Sequence, residues 1–364
     1  MAQAKEPLIE VKDLRVEFDI RAGVIKAVDG LYLDIYRGKT MGVIGESGCG
    51  KSVTARAILQ MIPKPGKIKS GEVLYYRQPK HMDPNVVPKH AEVIKITELD
   101  PDSQEIRKIR GGEIGMIFQE PMSSLTPVYT AGSHIEEALS LHYLVKAKKI
   151  GDQMTEKIVE YRHVDKKEAR EISIEMLHRV GIPKPAERVD SYPHQLSGGQ
   201  RQRVMTAVAL SCQPAMLIAD EPTTALDVSI EAQILDLMRE LQQTISMSIM
   251  FITHNMGVIA EMADEITVMY MGKQVERAST VDLFYDAKHP YTKALLRSIP
   301  KIGNRLERLA VIEGMVPDPL HLPTGCVFHP RCPSFMPGKC DRIAPIWKEV
   351  SPAHWARCLL YEEV

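Results

Sequence analysis

Apolar and polar positions alternate through "LIEVKDLRVEFDI" near the start of the chain. A two-residue period of that kind predicts a strand with one buried face, here read as an edge strand. Short continuous apolar runs follow at "KTMGVIG", "EIGMIFQ", "AMLIAD" and "SIMFIT". Runs of that length without alternation predict strands buried on both faces, as in a parallel sheet. Between them the spacing lengthens. "SVTARAILQMI", closed by "PKPGK", and "GGQRQRVMTAVALSC" read as helices, and the charged stretch from about 131 to 180 carries helical spacing. "EITVMYMGKQVERA" predicts a closing hairpin. Residues 73–110 are polar and irregular, an inserted loop or a small β-element. After "HPYTKALLRSIP" the helical period fades, Pro and Cys become frequent, and a distinct tail begins near residue 300. The predicted class is α/β, a parallel-sheet core with a helical insertion.

Composition narrows the function. The chain has 364 residues, enough for a large core and two unequal parts. Apolar residues make up 44% and charged residues 26%, the proportions of a soluble globular protein. The formal net charge is -1, so no basic field points to a nucleic-acid partner. No apolar run reaches the length of a membrane span, and the first residues lack the core of a signal peptide. The expected compartment is the cytoplasm, with any membrane role reached through a partner.

"GESGCGKS", Gly45 to Ser52, fits G-x-x-x-x-G-K-[ST] in full between a predicted strand and a predicted helix. Glycines let the backbone fold into a nest whose N–H groups face phosphate oxygens, and the helix N-terminus adds partial positive charge. Gly45, Glu46, Ser47, Gly48, Cys49, Gly50, Lys51, Ser52 and Val53 are the expected ATP-binding residues. Lys51 would reach the β- and γ-phosphates and Ser52 would ligate Mg²⁺. "AMLIADEP" brings Asp220 and Glu221 to the C-terminal end of a buried strand, where ligands bind in open α/β sheets. Asp220 is placed to hold Mg²⁺ and Glu221 to polarise an attacking water; the plainer reading is that they cap the next helix. A second Gly-rich turn, "LSGGQ", opens another helix. One set of phosphates does not need two such turns, so Ser197, Gly198 and Gly199 make sense facing a nucleotide held by another subunit.

With LSGGQ the sequence resembles the ATP-binding-cassette (ABC) ATPases over roughly residues 8–280. The resemblance implies a P-loop NTPase core with an antiparallel β-subdomain and a helical subdomain. It implies two cassettes head to tail, each ATP lying between one Lys51 loop and the other chain's Leu196, Ser197, Gly198, Gly199 and Gln200. Gln119 in "MIFQEP" corresponds to the loop glutamine that contacts Mg²⁺ or the lytic water. His254 in "FITHN" corresponds to the switch histidine at the γ-phosphate, and Asp227 in "TALD" to the loop coupling the two sites. The catalytic set is then Glu221, His254 and Gln119. The adenine-stacking position falls near Ala22, which has no ring; Phe18, Arg21 and Ile20 stand nearby.

"FQEPMSSLTP", "HQLSGGQRQRVMTAVAL", "ITHNMGV" and "HPYTKALL" resemble more narrowly the ATPase subunits of bacterial dipeptide/oligopeptide importers, with oligosaccharide and nickel importers in the same subfamily. A soluble ABC ATPase outside transport is the alternative from another class. The resemblance implies two multi-span permease subunits, a second ATPase subunit, an extracytoplasmic binding protein reached through the permeases, and a peripheral place on the cytoplasmic face of the membrane. It divides the chain into an ABC domain, 1–285, with a helical subdomain at about 125–205, and a C-terminal extension, 286–364. The insertion near 78–106 is long for the group.

Six cysteines complete the inventory. Cys49 and Cys212 stand alone, whereas Cys326, Cys332, Cys340 and Cys358 share the tail in a C-x5-C-x7-C-x17-C pattern. In a reducing compartment such a group suggests ligation before disulfides. Structural zinc sites use tighter pairs, so the looser spacing favours a [4Fe–4S] cluster, with Zn²⁺ as the alternative. His329 and His354 are alternative ligands, and four thiols packed as small apolar groups are the plainer reading.

Overall fold

The computed structural model describes residues 7–77, 92–119, 125–142, 144–148, 158–162, 164–223, 227–299 and 312–362. In chain order it begins with strands β1 (Pro7–Ile20), β2 (Gly23–Tyr36) and β3 (Thr40–Ile44), helix α1 (Lys51–Ile58), strands β4 (Gly66–Arg77) and β5 (Glu92–Lys95), helix α2 (Gln104–Ile109) and strand β6 (Ile114–Ile117). Helix α3 (Ala131–Leu141), strands β7 (Leu144–Lys148) and β8 (Ile158–Arg162), helices α4 (Lys166–Arg179), α5 (Pro185–Arg188) and α6 (Gly198–Ser211), strand β9 (Met216–Asp220) and helix α7 (Val228–Ile245) follow. Strand β10 (Ser248–Ile252), helix α8 (Met256–Met262), strands β11 (Glu265–Tyr270) and β12 (Lys273–Ser279), helices α9 (Thr280–Asp286) and α10 (Pro290–Arg297), and strands β13 (Lys348–Ser351) and β14 (His354–Ala356) close the order.

Contacts group the chain into two compact parts. The first comprises Met1–Ile9, Ile35–Lys39 and Leu74–Met250. Its β6 and β9 run parallel, from Ile114 opposite Met216 to Ile117 opposite Ala219. Every residue of β9 is buried, which is why its sequence shows no alternation. Helices α3, α4 and α6 pack together. Helix α4 buries Ala169, Ser173, Met176 and Leu177, one face of a 3.6-residue period.

The second part comprises Glu10–Asp34, Thr40–Val73 and Phe251–Val364. Here β3, fully buried, pairs in parallel with β11, and β11 turns back into β12 as the predicted hairpin. The backbone N–H of Thr253, just past β10, reaches the Val43 carbonyl at 3.4 Å. In the antiparallel sheet β1 lies between β2 and β4, so it is an internal strand and not the expected edge. Strand β2 has no clean period, and the sequence pattern does not predict it.

Other expectations need correction. The stretch 131–180 is not helical throughout. The antiparallel pair β7–β8 interrupts it, where "LVKAK" and "IVEYR" carry β-branched and aromatic residues at strand spacing. The irregular stretch 73–110 does hold a β-element: β4 and β5 pair from Leu74 opposite Lys95 to Arg77 opposite Glu92. Helix α2 follows, capped by the Ser103 side chain, while residues 78–91 of the expected insertion lie outside the described residues. In the tail, strand β14 pairs with β12, and β13 with β14.

Candidate functional site

The phosphate-type loop leaves the end of β3 and enters α1. Glycine is required where the chain crowds its own backbone. At Gly50, the residue before α1, φ is +104° and an added Cβ would lie 2.3 Å from the Ala27 carbonyl oxygen. At Gly45 a Cβ would lie 2.2 Å from the Met269 carbonyl oxygen. Lys51 is 5% exposed, and its ammonium folds back over the loop, donating to the Gly45 carbonyl at 2.8 Å and the Glu46 carbonyl at 3.1 Å. Its charge is therefore held over the nest. Cys49 is buried beneath, and burial pushes its thiol up, against the opposing pull of Lys51. Ser52 and Val53 sit half-buried in the first turn of α1.

His254 follows β10 on the exposed side, and Asn255 caps α8 by accepting from Gly257 N–H at 3.0 Å. The Thr253–Val43 bond puts this turn beside the strand that feeds the glycine loop. Phe18, the aromatic nearest the adenine-stacking position, packs on backbone: a Cβ on Gly66 would lie 2.5 Å from its ring.

In the first part, β9 ends at Asp220, 1% exposed, and Glu221, 8% exposed. Glu221 takes φ +48°, a left-handed conformation that non-glycine residues seldom hold without a reason. Its carboxylate accepts from the Gln119 amide at 3.2 Å, so the structure joins two of the expected catalytic residues across 102 positions of sequence. The capping alternative for these carboxylates does not hold, because α7 is capped by Asp227, which accepts from Ile230 N–H at 3.0 Å. Asp227 is thus the N-cap as well as the expected coupling residue; residues 224–226 lie outside the described residues. Gln202, 1% exposed, donates to the Pro222 carbonyl at 2.7 Å and ties α6 to the turn after Glu221.

The signature turn precedes α6. Leu196 is buried, Ser197 and Gly198 are exposed, and Gly199 and Gln200 are half-buried. Ser197 Oγ accepts from Gln200 N–H at 3.3 Å while Gln200 Oε1 accepts from Ser197 N–H at 3.1 Å, a capping box. A Cβ on Gly198 would meet nothing within 4 Å, so the turn's outer face is open.

In the tail, Cys326, Cys332, Cys340 and Cys358 line one small cavity with His289, Phe328 and His329. Cys326 N–H donates to the Cys340 carbonyl at 2.8 Å. All four are free thiols. Burial pushes Cys326 up to about 11 and Cys358 up to about 12, with the neighbouring cysteines adding to the effect. Among the described residues no three His, Cys, Asp or Glu side chains are arranged to hold a metal ion, which supports neither the expected [4Fe–4S] cluster nor zinc. His354 is turned elsewhere: its Nε2 bonds buried Glu276 at 2.7 Å. His329 lines the cavity, with Nδ1 on the Cys326 carbonyl at 2.9 Å.

Two residues that touch the glycine loop had no local signal: Tyr291, which takes the Glu46 N–H at 2.9 Å, and Arg331, which pairs with the Glu46 carboxylate. "HPY" and "HPRC" are the fragments in which they stand.

The chain matches the family described as ABC transporter over residues 28–224, and the family described as oligopeptide/dipeptide transporter, C-terminal region, over residues 275–340. It is 43% identical over 356 residues to the oligopeptide transport ATP-binding protein AppD of Bacillus subtilis (strain 168), covering 98% of this chain and 97% of that protein. It is 41% identical over 368 residues to the putative peptide import ATP-binding protein BMEII0863 of Brucella melitensis, covering 99% of each. Among solved structures it is similar to the dimeric post-hydrolysis state of the ATP-binding cassette MJ0796 bound to ADP and Pi. That likeness has a TM-score of 0.58 at 26% identity over 75% of this chain and 98% of the other.

Proposed function

Because this chain belongs to the ATP-binding subunits of ABC transporters and carries the oligopeptide/dipeptide type of C-terminal region, we propose that it powers the import of peptides. It is an ATP-hydrolysing transporter motor of that family. The observation that carries the site is the loop Gly45–Ser52: a glycine nest closed by backbone on its inner side, with a buried ammonium already poised over it. Relatives named for peptide and oligopeptide transport along nearly their whole length support peptide as cargo over oligosaccharide or nickel.

The proposed roles follow from chemistry. Lys51 leaves the loop carbonyls and takes the β- and γ-phosphates. Ser52, Asp220 and Gln119 would hold Mg²⁺, which would neutralise charge developing on the phosphate oxygens. Glu221 orients the lytic water and draws off its proton, and Gln119, already its hydrogen-bond partner, fixes the carboxylate's direction. His254 contacts the γ-phosphate. Ser197, Gly198 and Gly199, at the start of α6, receive the γ-phosphate of the second ATPase subunit, and Asp227 links the two sites. The chain would sit on the cytoplasmic face of the membrane against two permease subunits, with an extracytoplasmic binding protein reached through them. No described helix is long and apolar enough to cross it.

The four cysteines line one cavity, and their loose sequence spacing favours an iron–sulfur cluster over a single zinc ion. Cys326, Cys332, Cys340 and Cys358 would hold a [4Fe–4S] cluster that staples a tail with little core of its own. The deciding experiment is Glu221→Gln in the assembled transporter. ATP binding is retained, hydrolysis falls about 10²- to 10⁴-fold, and peptide uptake stops. Unchanged turnover refutes the role of Glu221, and uptake of sugars or nickel but not peptides refutes the cargo.

A further inference from the structure

Glu46 is an oddity in the loop. A loop that receives a triphosphate carries a carboxylate in its second position, where like charge opposes binding. The structure shows what cancels it. Arg331, from the extension, meets Glu46 with both arms: Nη1 to Oε2 at 2.7 Å and Nη2 to Oε1 at 3.1 Å. The remaining donors are also used. Nη1 reaches Tyr270 Oη at 3.3 Å, Nη2 the Ile312 carbonyl at 3.3 Å, and Nε the Glu313 carbonyl at 3.2 Å. The Arg331 side chain is 4% exposed and its guanidinium stands 5.9 Å from the Tyr270 ring centroid. A fork so fully satisfied has one geometry.

Glu46 is held at its other ends too. Its N–H donates to Tyr291 Oη at 2.9 Å, and its carbonyl accepts from Lys51 Nζ at 3.1 Å. Tyr291 and Tyr270 in turn pack on Phe328, with ring centroids 5.3 and 5.2 Å away. One loop residue is thus gripped by two side chains drawn from residues 286–364.

We propose that Arg331 is a positioning residue for nucleotide binding: it neutralises Glu46, turns its carboxylate away from the phosphates, and so makes the affinity of the glycine loop depend on the folded extension. The inference rests on reading Gly45–Ser52 as the ATP site. Fixing one residue of a glycine-rich loop lowers the entropy lost when the nucleotide orders the rest. Cancelling the carboxylate removes a like charge beside a polyanion.

The test is steady-state ATPase kinetics of the assembled transporter, with folding checked by thermal unfolding. Arg331→Met is expected to raise KM for ATP at least about tenfold, with kcat within about threefold of wild type. A damaged fold would lower kcat through the active fraction and leave KM alone. Adding Glu46→Gln to Arg331→Met removes the uncompensated charge and is expected to return KM to within about threefold of wild type. An unchanged KM in Arg331→Met, or a raised KM that Glu46→Gln does not lower, overturns the proposal. If Arg331→Met does not fold, Arg331→Lys takes its place: the charge stays, the fork is lost, and an intermediate KM is expected, with a wild-type KM overturning the idea. Lys51→Ala, measured alongside by calorimetry, separates the two readings: unimpaired ATP binding there refutes the ATP site itself, whatever Arg331 does.

Discussion

Glu276 offers the most direct test of what joins the tail to the hairpin. The residue is fully buried in β12, and His354 from β14 is 1% exposed. Glu276 Oε1 accepts from His354 Nε2 at 2.7 Å and from Lys288 N–H at 2.5 Å; Oε2 accepts from His289 N–H at 3.0 Å. Burial pushes the carboxyl up, but the bonds from His354 and the two amides outweigh it, and its pKa stands below the ordinary value of 4.5. Glu276→Gln keeps the volume and removes one acceptor oxygen. Its NH₂ must then face a buried donor, either His289 N–H or the Lys288 and His354 pair. Losing a charge-assisted bond and leaving a donor unmatched costs roughly 2–4 kcal/mol. For a protein of this size that is a fall in Tm of roughly 3–5 °C. The assay is thermal unfolding of nucleotide-free protein at neutral pH, followed at near-ultraviolet wavelengths. The sign with pH is fixed: a depressed carboxyl stabilises fully above its unfolded value, 4.5, and loses that contribution as pH falls through the folded value. The gap between wild type and variant therefore narrows below that pH. A variant within about 0.5 kcal/mol of wild type at neutral pH refutes the reasoning.

Two further outcomes are expected. Asp227→Ala loses about 1 kcal/mol of stability in chemical denaturation because α7 loses its cap, while Asp227→Ser restores the cap. If Asp227 also couples the two ATP sites, the serine variant still loses cooperativity in ATP hydrolysis by the assembled transporter, and full cooperativity there refutes the coupling role. Anaerobically purified protein should be brown, with a broad band near roughly 400 nm that Cys358→Ser bleaches; a colourless protein carrying one zinc per chain overturns the cluster.

The parts most legible in the sequence are those with a local cause. Strands β3 and β9 are fully buried, so their apolar runs announce them, and the glycines of Gly45–Ser52 announce a backbone no other residue could follow. The lysine, the carboxylates and the capped turn at Ser197 stand at fixed offsets from those runs. Strand β2 mixes charges into both faces, and β13 and β14 span only four and three residues, too short to show a period. The contacts that tune the site are invisible for another reason. Gln119 and Glu221 are 102 positions apart, and Glu46 and Arg331 are 285 apart; no window along the chain contains both partners. Likewise the number of cysteines made His354 a candidate ligand, but only the folded tail shows that it is diverted to Glu276.

The reciprocal cap at Ser197 and Gln200 has a consequence for an idle subunit. At its exposed helix start, Ser197 N–H and Gln200 N–H are already engaged within the chain. Under the proposed function, a sister chain's phosphate that took these groups would first have to open that cap, at about 1 kcal/mol. In the proposed head-to-tail pair, each triphosphate that enters would offset the opening of one such cap.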